Sequence, residues 1–166
     1  DTRELVEQAG GTPLQSRVGH AFIKAMMRES GAVYGGEMSA HHYFKDFMRC
    51  DSGMIPWLLI AELLSATGQP LAALVEARQA RFPTSGEQNF TIADPLAALE
   101  TIEATLGPEA QGVSHADGLS LDFGTWRLNL RSSGTEPLVR LNIESRGDAA
   151  LVETQLARVK ALLRAE

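Results

Sequence analysis

The chain has 166 residues, a net charge of −6, 44% hydrophobic residues and 22% charged residues. This is a soluble globular composition, long enough for one ordinary domain or two small ones with a real core. The acidic balance argues against a general nucleic-acid binder, and no apolar run reaches membrane-spanning length, so neither nucleic acid nor membrane is expected as a partner. The single cysteine, Cys50, excludes an intrachain disulfide and fits a reducing cytoplasm.

The chain opens at Asp1-Thr2-Arg3 without methionine or a signal-peptide pattern and enters helical spacing at once. It is therefore expected to be a piece of a longer protein. Residues 2–8 read as a short helix stopped by Gly10-Gly11. Residues 12–15 read as a brief strand, with Pro13 suited to its first positions. A helix follows over residues 21–29 with Phe22, Ile23, Met26 and Met27 as its apolar stripe, and His20 lies in the loop before it, where backbone N–H groups favour an anion. Ala32-Val33-Tyr34 reads as a buried strand. Helix alternating with strand at this spacing predicts an α/β layer with a mainly parallel sheet.

The stretch Gly35-Gly36-Glu37-Met38-Ser39-Ala40-His41-His42-Tyr43-Phe44 carries the first chemistry. If it is extended, Glu37, Ser39 and His41 share one side, with Met38 and Ala40 towards the protein. A carboxylate, a hydroxyl and an imidazole together suit the hydroxyls of a sugar. The same residues also describe a wet glycine turn after a strand end. His41, His42, Cys50 and Asp51 are metal-ligand types, but their spacing matches no zinc pattern, so no metal site is expected in this chain.

Asp51 or Ser52 is placed to cap a helix from Met54 to about Ala66, whose density of leucine and isoleucine marks a core helix. A second helix over residues 71–81 should turn Leu71, Leu74 and Val75 inward. Phe82-Pro83-Thr84-Ser85-Gly86-Glu87 is the best domain boundary, dividing residues 1–83 from 84–166. Beyond it come a strand over 89–92 and a helix over 95–106 with Leu96, Leu99, Ile102 and Leu106 on one face. Strands over 119–123, 126–130 and 138–144 follow, then a last helix capped by Asp148. This second unit reads as α+β, a small, mainly antiparallel sheet backed by two helices.

The strand Trp126-Arg127-Leu128-Asn129-Leu130-Arg131 puts Arg127, Asn129 and Arg131 on one face and the leucines on the other. It ends in Arg131-Ser132-Ser133-Gly134-Thr135-Glu136-Pro137. A guanidinium fork, hydroxyls and successive backbone N–H groups around a glycine suit a phosphate, although a plain hairpin connection has the same composition.

Gly19-His20, then Gly36-Glu37-Met38-Ser39-Ala40-His41, then Arg131-Ser132-Ser133-Gly134-Thr135-Glu136-Pro137, in this order and spacing, resemble the α-D-phosphohexomutases and most closely their bacterial phosphomannomutase/phosphoglucomutase branch. The resemblance runs over most of the chain and implies most of the third of four domains, an α/β/α unit without its first strand, followed by the whole fourth. It implies interconversion of hexose 1-phosphates and 6-phosphates through a glucose or mannose 1,6-bisphosphate intermediate. A phosphoserine in the first domain and Mg2+ in the second would serve that reaction; the missing N-terminal domains would then be partners of this chain. By the same resemblance Glu37, Ser39 and His20 bind the sugar, His41 is the candidate for proton transfer, and Arg131, Ser133, Gly134 and Thr135 hold the non-reacting phosphate.

This chain departs from the family pattern. It has neither the family's phosphorylation loop nor an Asp-Gly-Asp-Gly-Asp metal loop, Gly134 stands where the branch often has asparagine, and Ala40 replaces a frequent glycine. The segment alone is expected to be inactive. The alternative is a stand-alone phosphosugar- or anion-binding module without chemistry.

Overall fold

The computed structural model describes residues 2–133 and 136–163. The chain divides into two compact units, Asp1–Val75 and Glu76–Glu166, with six helices among the described residues.

The first unit holds helices α1 (Thr2–Gln8), α2 (His20–Ser30) and α3 (Met54–Thr67), the start of α4 (Leu71–Arg81), and strands β1 (Tyr34–Gly36), β2 (His42–Phe44) and β3 (Cys50–Asp51). The strands form an antiparallel meander in the order β1-β2-β3, in place of the expected mainly parallel sheet. The reason is local: the connections are a hairpin loop and one 3-10 turn, too short for the crossover a parallel pair requires. Ile23 and Met27 of α2 bury themselves against Tyr43 of β2. Gly35 permits that packing, because a Cβ there would lie 2.9 Å from Ile23 Cγ2 and 3.2 Å from the Met27 sulfur.

Several expectations for this unit are corrected. Residues 12–15 form no strand; no described residue pairs with their backbone, and an unpaired segment gains nothing from an extended pattern. Ala32-Val33-Tyr34 is not a buried strand: β1 begins at Tyr34, and Val33 is exposed. His20 is the first residue of α2 and not part of the loop before it, and Phe22 of the expected stripe is exposed. The apolar helix α3 has no buried residue, and α4 has none either, with Leu71 and Val75 exposed. Both helices form without burial because helix hydrogen bonds are satisfied within the segment. Ser52 rather than Asp51 serves the start of α3, its hydroxyl accepting from the Ile55 N–H at 3.3 Å.

The second unit is a five-stranded antiparallel sheet in the order β4-β8-β7-β6-β5, built from β4 (Gln88–Thr91), β5 (Gly112–Ser114), β6 (Leu119–Asp122), β7 (Trp126–Ser132) and β8 (Leu138–Ser145). Helices α5 (Pro95–Leu106) and α6 (Ala149–Leu163) complete it. Strict alternation along β6, β7 and β8 sends Leu119, Leu121, Leu128, Leu130, Val139, Leu141 and Ile143 to one face, where they meet Ile102 and Leu106 of α5 and Val159 of α6. Each such side chain contributes about 1.5–3 kcal/mol on full burial. Asp94 caps α5 by accepting from the Leu96 and Ala97 N–H groups, and Asp148 caps α6 through the Leu151 N–H. Leu96, expected on the inner face of α5, is exposed, and Ala98 takes the buried position.

The end of α4 belongs to this second unit. Phe82 is buried, the Arg81 carbonyl accepts from the Gly147 N–H at 2.9 Å, and the Pro83 carbonyl accepts from the Ser145 N–H at 3.0 Å. The two compact units divide inside α4, a few residues ahead of the Phe82–Glu87 stretch.

Candidate functional site

The first polar cluster is built on the β1–β2 hairpin. Residues 37–41 are a tight loop and not the extended segment the alternation argument assumed. The Glu37 N–H donates to the His41 carbonyl at 3.0 Å and the Ala40 N–H to the Glu37 carbonyl at 3.1 Å. Ala40 takes φ +62°, a left-handed conformation that glycine would adopt without strain. Met38, expected to face the protein, is 85% exposed. Glu37, Ser39 and His41 all lie in this loop, whose ends are pinned by the strand pairing Gly36↔His42.

Two residues to which sequence reasoning gave no role in this site, Tyr43 and Asp51, position the loop. Tyr43 is fully buried, and its hydroxyl donates to Glu37 Oε1 at 2.5 Å. Burial first, and then the Glu37 carboxylate, push the phenol far above its ordinary pKa, so it stays a donor that fixes Glu37. Asp51 grips the other end: Oδ2 lies 2.7 Å from His41 Nδ1, and Oδ1 accepts from the His42 N–H at 2.9 Å. The His41 hydrogen bond, followed by that from His42, holds the Asp51 carboxyl below its usual range. A carboxylate on Nδ1 orients the ring and leaves Nε2 as the nitrogen for chemistry.

The pairing Tyr43↔Asp51 between β2 and β3 brings Asp51 there. An acidic residue ten positions after His41 carried no sequence signal of that contact. His20, from the first turn of α2, stands with its ring centroid 4.6 Å from that of His41 and 5.4 Å from that of Tyr43. Two separate segments, the first turn of α2 and the β1–β2 loop, therefore present His20, Glu37 and His41 around one buried tyrosine. His42 is turned away into a 2.7 Å contact between its Nδ1 and the Tyr34 hydroxyl.

The second cluster lies in the other unit, at the end of β7. Arg131 pairs in register with Arg140 of β8, a like-charge juxtaposition that Glu87 relieves. Its two oxygens lie 3.4 Å from Arg131 Nη2 and 3.4 Å from Arg140 Nη1. Asp117 Oδ2 stands 3.8 Å from Arg131 Nη1. Gly118, at φ +68°, presses its backbone against Leu130 and Arg131, leaving no room for a side chain. The Ser133 N–H donates to the Leu138 carbonyl at 2.9 Å and closes the base of the loop. Gly134 and Thr135 lie outside the described residues.

Family models match along nearly all of the chain. Residues 2–82 match phosphoglucomutase/phosphomannomutase, alpha/beta/alpha domain III, and residues 87–162 match the C-terminal domain of the same family. The chain belongs to the phosphoglucomutase/phosphomannomutase family. A protein of Xanthomonas campestris named for phosphohexose mutases is 58% identical over 164 residues, which are 99% of this chain and 37% of that protein. Phosphomannomutases of Salmonella typhimurium and Escherichia coli K12 are 58% and 55% identical over 163 residues, 98% of this chain in each case and 36% and 35% of those proteins. The chain thus spans little more than a third of the curated relatives it matches. A crystal structure of a phosphoglucomutase/phosphomannomutase family protein from Burkholderia thailandensis shares 30% identity and superposes with a TM-score of 0.77, over 98% of this chain and 35% of that one. Both polar clusters lie within stretches matched by the two family models, the hairpin in domain III and Arg131 in the C-terminal domain.

Proposed function

We propose that this chain is the carbohydrate- and phosphate-holding part of a phosphomannomutase/phosphoglucomutase that interconverts hexose 1-phosphate and hexose 6-phosphate through a bisphosphate. The observation that carries the reading is the hairpin, where a buried tyrosine fixes Glu37 and an aspartate orients His41 in a chain of this family. In this reading Glu37, Ser39 and His20 bind sugar hydroxyls, and His41 moves a proton at Nε2 while Asp51 keeps Nδ1 occupied. Arg131 and the loop bearing Ser133, Gly134 and Thr135 hold the phosphate that is not being transferred, which would displace Glu87 from Arg131. The phosphoserine belongs to a domain outside this chain.

So does the Mg2+ of the reaction. Mg2+ takes oxygen ligands, whereas the His20, His41 and Asp51 cluster of this chain is rich in imidazole nitrogen, so no step here runs through that ion.

The test is calorimetry of the chain with glucose 1-phosphate and mannose 1-phosphate, repeated on Glu37→Ala and Arg131→Ala. Binding that falls in both variants is expected; binding untouched by either substitution would sink the reading. The chain alone should not interconvert hexose 1-phosphate and hexose 6-phosphate, and turnover by the purified segment would contradict the assignment of the phosphoserine to another domain.

A further inference from the structure

We propose that His20, His41 and Asp51 form a binding site for a borderline divalent cation of the Zn2+ class, a cation of different ligand chemistry from Mg2+. The three residues come from α2, the β1–β2 loop and β3, and the ligand atoms they offer all lie within 4.8 Å of one another. Zinc at about 2.0–2.2 Å from nitrogen and oxygen ligands sets them about 3.3–3.5 Å apart in a tetrahedron. The His41 and Asp51 pair, now 2.7 Å apart, need only open slightly. His20 must close the rest, and it is exposed at the start of its helix, so a rotation of its ring suffices.

The donor set selects the cation. Two imidazoles and one carboxylate suit Zn2+, Co2+ or Ni2+ and are a poor match for Mg2+ or Ca2+, which take oxygen. Three protein ligands leave a position open to water or another small ligand. Asp51 already holds His41 and the His42 N–H through different oxygens, so one carboxylate oxygen can turn to the cation while the backbone contact persists. Cys50 and His42 flank the site in sequence, yet His42 is committed to Tyr34.

The inference stands on these three side chains and not on the hexose-phosphate reading. If that reading also holds, a cation on the His41 imidazole removes the group proposed for proton transfer and acts as an inhibitor.

The experiment titrates the metal-free chain with Co2+, read by its visible ligand-field absorption, and with Zn2+, read by calorimetry. One site is expected, indifferent to excess Mg2+. Affinity should fall by at least about 10-fold in each of His20→Ala, His41→Ala and Asp51→Asn, since even outer-shell substitutions at metal sites cost about 10–100-fold. His42→Ala, Cys50→Ser and His115→Ala, the last a histidine of the second unit whose Nε2 lies 3.0 Å from Glu103 Oε1, should bind like the parent chain. Zn2+ should also shift the imidazole nitrogen resonances of His20 and His41 in the unsubstituted protein, a readout that needs no variant to fold. Absence of a Co2+ spectrum, or binding that survives His20→Ala and disappears with Cys50→Ser or His115→Ala, would overturn the proposal. Sugar binding measured in parallel separates the two readings, because the loss of either leaves the other result standing.

Discussion

Gly118→Ala tests how the Arg131 cluster is held. Gly118 sits at φ +68°, and a Cβ there would lie 2.5 Å from the Leu130 carbonyl oxygen and 2.7 Å from Arg131 Cβ. Two costs combine. The left-handed backbone costs an L-residue about 1–2 kcal/mol, offset by about 0.4–1 kcal/mol from a less free unfolded chain. The overlap with rigid strand backbone adds about 1–3 kcal/mol. The sum is about 2–4 kcal/mol, a large part of a typical domain stability of about 5–15 kcal/mol. Gly147→Ala isolates the first term, because Gly147 has φ +73° in the same unit and nothing within 4 Å of the added Cβ; about 0.5–1.5 kcal/mol is expected there. Urea denaturation followed by tryptophan fluorescence reads this unit selectively, since Trp126 is buried in it while Trp57 in the other unit is 61% exposed. With a slope of about 1–3 kcal/mol/M, the Gly118→Ala midpoint should fall by roughly 1–2 M below the parent. Equal midpoints for the two glycine variants would show that the close approach at Arg131 carries no energy, and the reasoning would fail.

Three further outcomes are expected. Tyr43→Phe removes the donor that fixes Glu37 and should cost about 1–2 kcal/mol in stability together with a loss of hexose-phosphate affinity; unchanged affinity in calorimetry would remove Tyr43 from the site. Arg158 holds Glu109 through two contacts, of 2.5 and 3.0 Å, and lowers the Glu109 carboxyl below its ordinary pKa. A lowered carboxylate contributes stability above its unfolded value of about 4.3, lost as pH falls through the folded value. The urea midpoint of the parent should therefore exceed that of Glu109→Gln near neutral pH and converge with it in acid, and a gap that persists in acid would refute the linkage. Finally, Trp57→Ser and Leu58→Ser on the exposed face of α3 should change stability by no more than about 0.5 kcal/mol while reducing self-association in sedimentation. A large destabilisation would mean that this face is packed in solution.

The second unit was nearly all legible in the sequence because its signals are local. Alternation along residues 119–122 and 126–131 sorts leucines from polar residues one position at a time, and the inner face follows without knowledge of the partner strand. Pro95 at the first turn starts α5 where the sequence places that helix. The candidate site was legible only in part. Glu37, Ser39 and His41 stand out by residue type, but Tyr43 and Asp51, which fix Glu37 and His41, arrive through the register of a meander. Register is a property of two segments, and a pattern read along one segment does not contain it.

The misses in the first unit follow one physical rule. A helix satisfies its backbone internally, so α3 and α4 form where their periodicity says although none of their residues is buried. A strand borrows its hydrogen bonds from a neighbour, so residues 12–15 stay irregular when no described residue pairs with them. Periodicity therefore reports which face of an element is apolar, and for helices this is enough to secure the element but not its burial. For strands it secures neither until the partner is known. The hairpin at residues 34–44, misread as extended chain from its pattern, forms because its partner is its own next segment, five residues of loop away. Glu37 and His41 sit on that self-sufficient hairpin, and that is why they are held in place in a unit whose helix α3 buries nothing.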